Sequence, residues 1–124
     1  MKRLILTLAL AALPFSATGH EIAKGPNGGP VVDSGGHHVE MVAKGTELLL
    51  ILTESDDKPL ASAGSKNARA VVQDGGKTAT VQLRAAEPNK LVGILAKPLG
   101  PGARVVVSAT MADGHAVQAR FVNN

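Results

Sequence analysis

The chain has 124 residues, no cysteine, four histidines, 2% aromatic residues and a formal net charge of +3. Without cysteine there is no disulfide staple and no thiolate ligand or nucleophile, and the length allows one modest core. Lys2 and Arg3 carry most of the positive excess, because without them 11 basic residues face 10 acidic ones, a net charge of +1. With no Trp or Tyr to stack on bases, a nucleic-acid-binding role is excluded as an expectation.

Met1-Lys2-Arg3 is a short basic start, Leu4 to Leu13 is apolar apart from Thr7, and Pro14 leads into the small residues Ser16-Ala17-Thr18-Gly19. This is the three-part pattern of a secretory signal peptide over residues 1–19, with Ala17-Thr18-Gly19 as the cleavage site. The apolar run is shorter than the roughly 20 residues that span a bilayer. Export to the periplasm, with no transmembrane segment in the mature chain and His20 as its first residue, is the expectation.

Residues 20–30 are rich in Gly and Pro and have no periodicity, which predicts a flexible arm before a single all-β domain over residues 31–124. A short first strand is expected at Val31-Val32-Asp33, a strong one from His37 to Ala43, and a nearly continuous apolar one from Glu47 to Thr53. The last reads as central and covered on both faces. Leu60 to Lys66 is expected to pass from one sheet or sheet edge to another. Asn67 to Gln73 and Thr78 to Ala85 follow as strands around Asp74-Gly75-Gly76, a local hairpin signal. In the second of these, Ala79, Val81, Leu83 and Ala85 form the expected dry face. Lys90 to Leu95, Arg104 to Thr110 and His115 to Val122 complete the set. No window has a 3.6-residue apolar period. The fold class is therefore all-β: a small antiparallel β-sandwich or partly closed β-barrel of seven or eight short strands.

Chemistry concentrates in Gly36-His37-His38-Val39-Glu40-Met41-Val42. Period two places His38, Glu40 and Val42 on one face and His37, Val39 and Met41 on the other. An imidazole and a carboxylate two residues apart on one face make half of a site for Cu or Zn. Hairpin pairing could bring Asp33, or the preceding arm, beside Glu40. His20 adds a candidate, since a free α-amine and the imidazole of one residue chelate an ion together; His37 is a further candidate ligand if the strand bulges. The same residues also read as surface polar groups and a hydrogen-bonded pair, Met41 as core, and His115, next to a turn glycine, as surface. No Gly-x-Ser-x-Gly or His-Glu-x-x-His motif is present, and Gly25 to Gly29 does not join a strand to a helix, so no enzyme activity is expected.

Gly25-Pro26-Asn27-Gly28-Gly29-Pro30-Val31-Val32, Gly36 to Val42, Leu48 to Thr53, Gly102 to Val107 and Gln118-Ala119-Arg120-Phe121 together resemble a small periplasmic domain of proteobacterial heavy-metal resistance systems. That domain occurs alone or N-terminal to adaptor subunits of cation-efflux pumps. The resemblance implies an all-β module that binds Zn, Cu or a related cation outside the cytoplasmic membrane and hands it to an efflux component, with His38 and Glu40 on its His-x-Glu motif. The family's histidine-rich start is reduced here to His20. The alternative expectation is a non-catalytic β module that binds a periplasmic protein partner without metal.

Overall fold

A computed structural model describes residues 21–124. Among these residues ten strands form two antiparallel sheets. One sheet is built from β1 (Glu21–Lys24), β2 (Pro30–Ser34), β3 (His37–Lys44), β4 (Glu47–Glu54), β7 (Arg84–Ala86) and β8 (Lys90–Ile94), in the order β1-β2-β3-β4-β8-β7. The other contains β5 (Lys66–Asp74), β6 (Lys77–Gln82), β9 (Arg104–Thr110) and β10 (Ala116–Val122), in the order β10-β9-β5-β6. The expected sandwich is what the two sheets make, with no closed barrel. No helix among the described residues is long and apolar enough to cross a membrane.

Alternation along the strands builds the core. Val39 and Met41 of β3, Leu48, Leu50 and Leu52 of β4, and Leu91 of β8 face Ala68, Ala70 and Val72 of β5, Val105 and Val107 of β9, and Val117, Ala119 and Phe121 of β10. Leu48, Leu50 and Leu52 are fully buried, and burial of such a side chain stabilises the fold by about 1.5–3 kcal/mol. The turns are set by glycine chemistry. Gly35-Gly36 and Gly75-Gly76 form two-residue hairpin loops whose φ angles are 58°, 91°, 60° and 81°, a pair of positive values that matches the strand twist and that side chains with a Cβ resist.

The structure departs from the sequence expectation in four places. Ten strands replace seven or eight, because the segment expected as a flexible arm carries β1 and a tight turn, and because the expected strand from Thr78 to Ala85 is two strands. β1 has no apolar period of its own; its backbone is satisfied by the edge of β2, with Lys24 opposite Pro30 and Ala23 opposite Val31. At Leu83 the chain changes sheets. The Leu83 amide still donates to the Ala68 carbonyl at 3.0 Å, while Arg84 already pairs with Val92. The crossing is close: a Cβ on Gly93 would lie 2.6 Å from Leu83 Cδ2 and 2.8 Å from Val81 Cγ1. Because β6 is an edge strand, only Val81 and Leu83 of its expected dry face are covered, and Ala79 is exposed. β4 is central as expected, but Leu49 and Ile51 on its outer face are only half-buried, since no element among the described residues stacks on that side of the sheet. Residues 60–65 and 95–103 carry the chain between the sheets, the first of these as the sequence suggests.

Candidate metal centre

Strand register gathers most of the histidines at one end of the sandwich. Across β2, β3 and β4, Asp33 lies opposite His38 and Ser34 opposite His37, while His37 lies opposite Glu54 and His38 opposite Thr53. The β9–β10 connection, which carries Asp113 and His115, closes over the same end. A hydrogen bond from the Gln118 amide to Ser34 Oγ at 3.1 Å ties it to the β2–β3 turn.

His37 points inward with Val39 and Met41, and its ring stacks on that of His115 with centroids 4.6 Å apart and planes 27° apart. His37 Nδ1 is 3.2 Å from Glu54 Oε1, a contact that does not form a hydrogen bond, so this buried nitrogen has no hydrogen-bond partner. His115 Nδ1 lies 2.5 Å from Asp113 Oδ1. The same oxygen accepts the His115 backbone N–H at 3.1 Å. These two contacts, the backbone one first, hold the Asp113 carboxyl below the usual aspartate range. A carboxylate on Nδ1 assigns the proton of a neutral ring to that nitrogen and leaves the lone pair on Nε2, which here is buried and unpartnered. Carboxylate–imidazole–metal triads orient a ligand in this manner. The donor chemistry of His115, and of His37 beside it, therefore fits a copper or zinc ion.

The fit is partial. Among the described residues no group of three or more His, Asp or Glu side chains is positioned to hold an ion as it stands. A third donor would come from rotation of Glu54, whose side chain is 43% exposed. His20 lies outside the described residues.

His38 and Glu40 share the outer face, as period two requires, but they do different work. His38 Nε2 is 3.9 Å from Asp33 Oδ2, and the other Asp33 oxygen accepts the Gly36 amide at 3.1 Å. Glu40 is 4% exposed, and its carboxylate is engaged by the Gly25–Gly29 turn. Oε2 accepts the amides of Asn27 at 3.0 Å and Gly29 at 2.9 Å, and Oε1 accepts Asn27 Nδ2 at 3.2 Å. A Cβ on Gly25 would fall on the Glu40 carboxyl group, and one on Gly29 would fall on the Met41 carbonyl oxygen. The glycines of the arm are thus the space that the buried carboxylate and strand β3 need. Of the two neighbours foreseen for Glu40, the arm is the one that arrives, and Asp33 goes to His38.

His115 was the residue that sequence reasoning left at the surface. Its signal was Asp113 two residues earlier, but that pair reads equally as hairpin-turn chemistry until the turn is seen to close on His37. No protein-family model matches the chain, and no curated protein matches it.

Proposed function

We propose that this protein is an exported, non-catalytic module that binds a copper or zinc cation through His37 and His115, and passes it to an efflux partner. The observation that supports the reading is the pair of stacked imidazoles whose buried His37 Nδ1 and His115 Nε2 lack hydrogen-bond partners. Burying a nitrogen that could bond is unfavourable, and a cation supplies the missing partner. Glu54 and Asp113 stand beside the pair, and Asp56 and Asp57 follow in the next turn. Their negative charge favours a cation over an anion at this end. Nitrogen and oxygen donors favour Cu(II) over Zn(II) by the general affinity order. Glu40 is not in the proposed ligand set, because its oxygens serve the Gly25–Gly29 turn.

The test is calorimetric titration with copper and with zinc in matched buffer. Both His37→Ala and His115→Ala should weaken binding by about tenfold or more, as loss of a ligand or its orienting group does. His38→Ala should have a smaller effect. Affinity should fall as the solution is acidified, because a protonated imidazole has no lone pair to donate. Wild-type protein without saturable binding, or His37→Ala and His115→Ala binding like wild type, would refute the proposal and leave the metal-free, partner-binding module in its place.

A further inference from the structure

The second surface of interest is the outer face of the β10-β9-β5-β6 sheet. Register places Gln73, Arg104 and Val122 in one row, Val71, Val106 and Arg120 in the next, and Arg69, Ser108 and Gln118 in a third. β6 extends these rows with Thr78, Thr80 and Gln82. Each row holds one arginine, on three different strands, and all three arginines are exposed. From strand spacing and rise, their Cα atoms lie about 8 to 14 Å apart on one twisted plane. No ion pair among the described residues involves any of them.

Charge on the molecule is segregated by sheet. The four strands of this sheet hold Lys66, Arg69, Lys77, Arg104 and Arg120 against a single acid, Asp74. That acid is at a turn and is occupied by the Gly100 amide at 2.9 Å. The other sheet holds Glu21, Asp33, Glu40, Glu47 and Glu54 against Lys24, Lys44, Arg84 and Lys90. Among the arginines lie Val106 and Val71, both half-buried, and at the corner of the face, next to Arg104 and Arg120, is Val122, which is 47% exposed. The rest of these three rows is Thr, Ser and Gln, with no aromatic side chain and no carboxylate.

We propose that this face docks on an anionic phospholipid surface, with Arg69, Arg104 and Arg120 on the headgroup phosphates. Guanidinium groups match phosphate oxygens with paired N–H donors, and a guanidinium without a carboxylate partner is available for them. Three such groups spread about 8 to 14 Å apart over one sheet face suit a planar array of charges better than a single small anion, which would need them to converge. The exposed valine at the corner of the face suits the headgroup boundary, where a little apolar area adds to charge attraction. Single-stranded nucleic acid is disfavoured because no aromatic ring on the face can stack a base. This docking is independent of the proposed metal site, which is at the end of the sandwich.

The experiment is sedimentation of the full mature chain with large vesicles of phosphatidylcholine alone or with 40% phosphatidylglycerol, at low and high salt. Wild type should sediment with the anionic vesicles only, and 0.5 M salt should release it. The Arg69→Gln, Arg104→Gln, Arg120→Gln triple variant should lose about tenfold or more of its partitioning. A charge-matched Lys44→Gln, Lys58→Gln, Lys97→Gln variant should keep it. Circular dichroism checks that each variant is folded; if the triple is not, Arg120→Gln alone, at the sheet edge, should still show a measurable loss. Absence of sedimentation, or equal loss in the lysine variant, would overturn the proposal. So would suppression of vesicle binding by millimolar inorganic phosphate at constant ionic strength, which would indicate a free-anion site. Tighter, arginine-dependent binding to duplex DNA than to vesicles would overturn it in favour of a nucleic-acid partner.

Discussion

Changing Glu40 separates its role as a structural lock from the role of a ligand. The wild-type carboxylate accepts three hydrogen bonds from the Gly25–Gly29 turn, two from backbone amides and one from a side-chain amide. Hydrogen bonds to a charged acceptor contribute about 1.5–3 kcal/mol each, and neutral ones about 0.5–1.5 kcal/mol. Glu40→Gln keeps one acceptor oxygen but sets an NH2 group where the second oxygen stood. One bond is then lost or rearranged and the others become neutral, a loss of about 2–3 kcal/mol. Glu40→Ala strands all three donors, and the loss should reach about 3–5 kcal/mol, limited because the turn can detach and hydrate. Against a total stability of about 5–15 kcal/mol, either change is large. Urea unfolding followed by far-ultraviolet circular dichroism suits a chain with no Trp or Tyr. With a slope of about 1–3 kcal/mol per molar urea, Glu40→Gln should lower the midpoint by about 0.7–3 M. Copper or zinc affinity, measured where the variant is folded, should stay within about threefold of wild type. A midpoint unchanged within about 0.3 M, together with a tenfold or greater loss of metal affinity, would refute the lock and return Glu40 to the ligand set.

Two further outcomes follow from the same geometry. Gly29→Ala should destabilise by about 1–3 kcal/mol or more, since its Cβ meets the Met41 carbonyl, a backbone atom that cannot swing aside; a urea midpoint equal to wild type would contradict this. Asp113 has a lowered pKa in the folded protein, so its contacts with His115 contribute stability that is present above the ordinary aspartate value and is lost as pH falls through the lowered one. The difference in melting temperature between wild type and Asp113→Asn should therefore be constant near pH 5–6 and close as pH falls below about 4. A difference that persists unchanged to pH 2 would show that the carboxylate charge is not its source.

Local pattern was enough for most of the strands. β9 occupies the residues expected from its alternation, Arg104–Thr110, because a buried strand in a sandwich must present every second side chain to the core. The Gly75-Gly76 hairpin was legible for the same kind of reason: positive φ at both loop positions is a property of two residues and needs no distant partner. The period-two reading of β3 was also sound, with Val39 and Met41 in the core and Glu40 on the opposite face.

What the sequence by itself determined, then, is which residues alternate, where the chain turns and which side chains could carry chemistry. The break at Leu83 was invisible because alternation continues unbroken through it, and only the position of β8, with Gly93 beneath the crossing, moves the following residues to the other sheet. β1 forms because β2 offers it an edge. Glu40 looks like a ligand on its strand, and becomes a lock only when Asn27 and Gly29 bring their N–H groups to it. His37 meets His115, and three arginines share one face, through register between strands distant in sequence. Those placements depend on long-range backbone pairing and on burial of one common core, and no local preference of the chain encodes them.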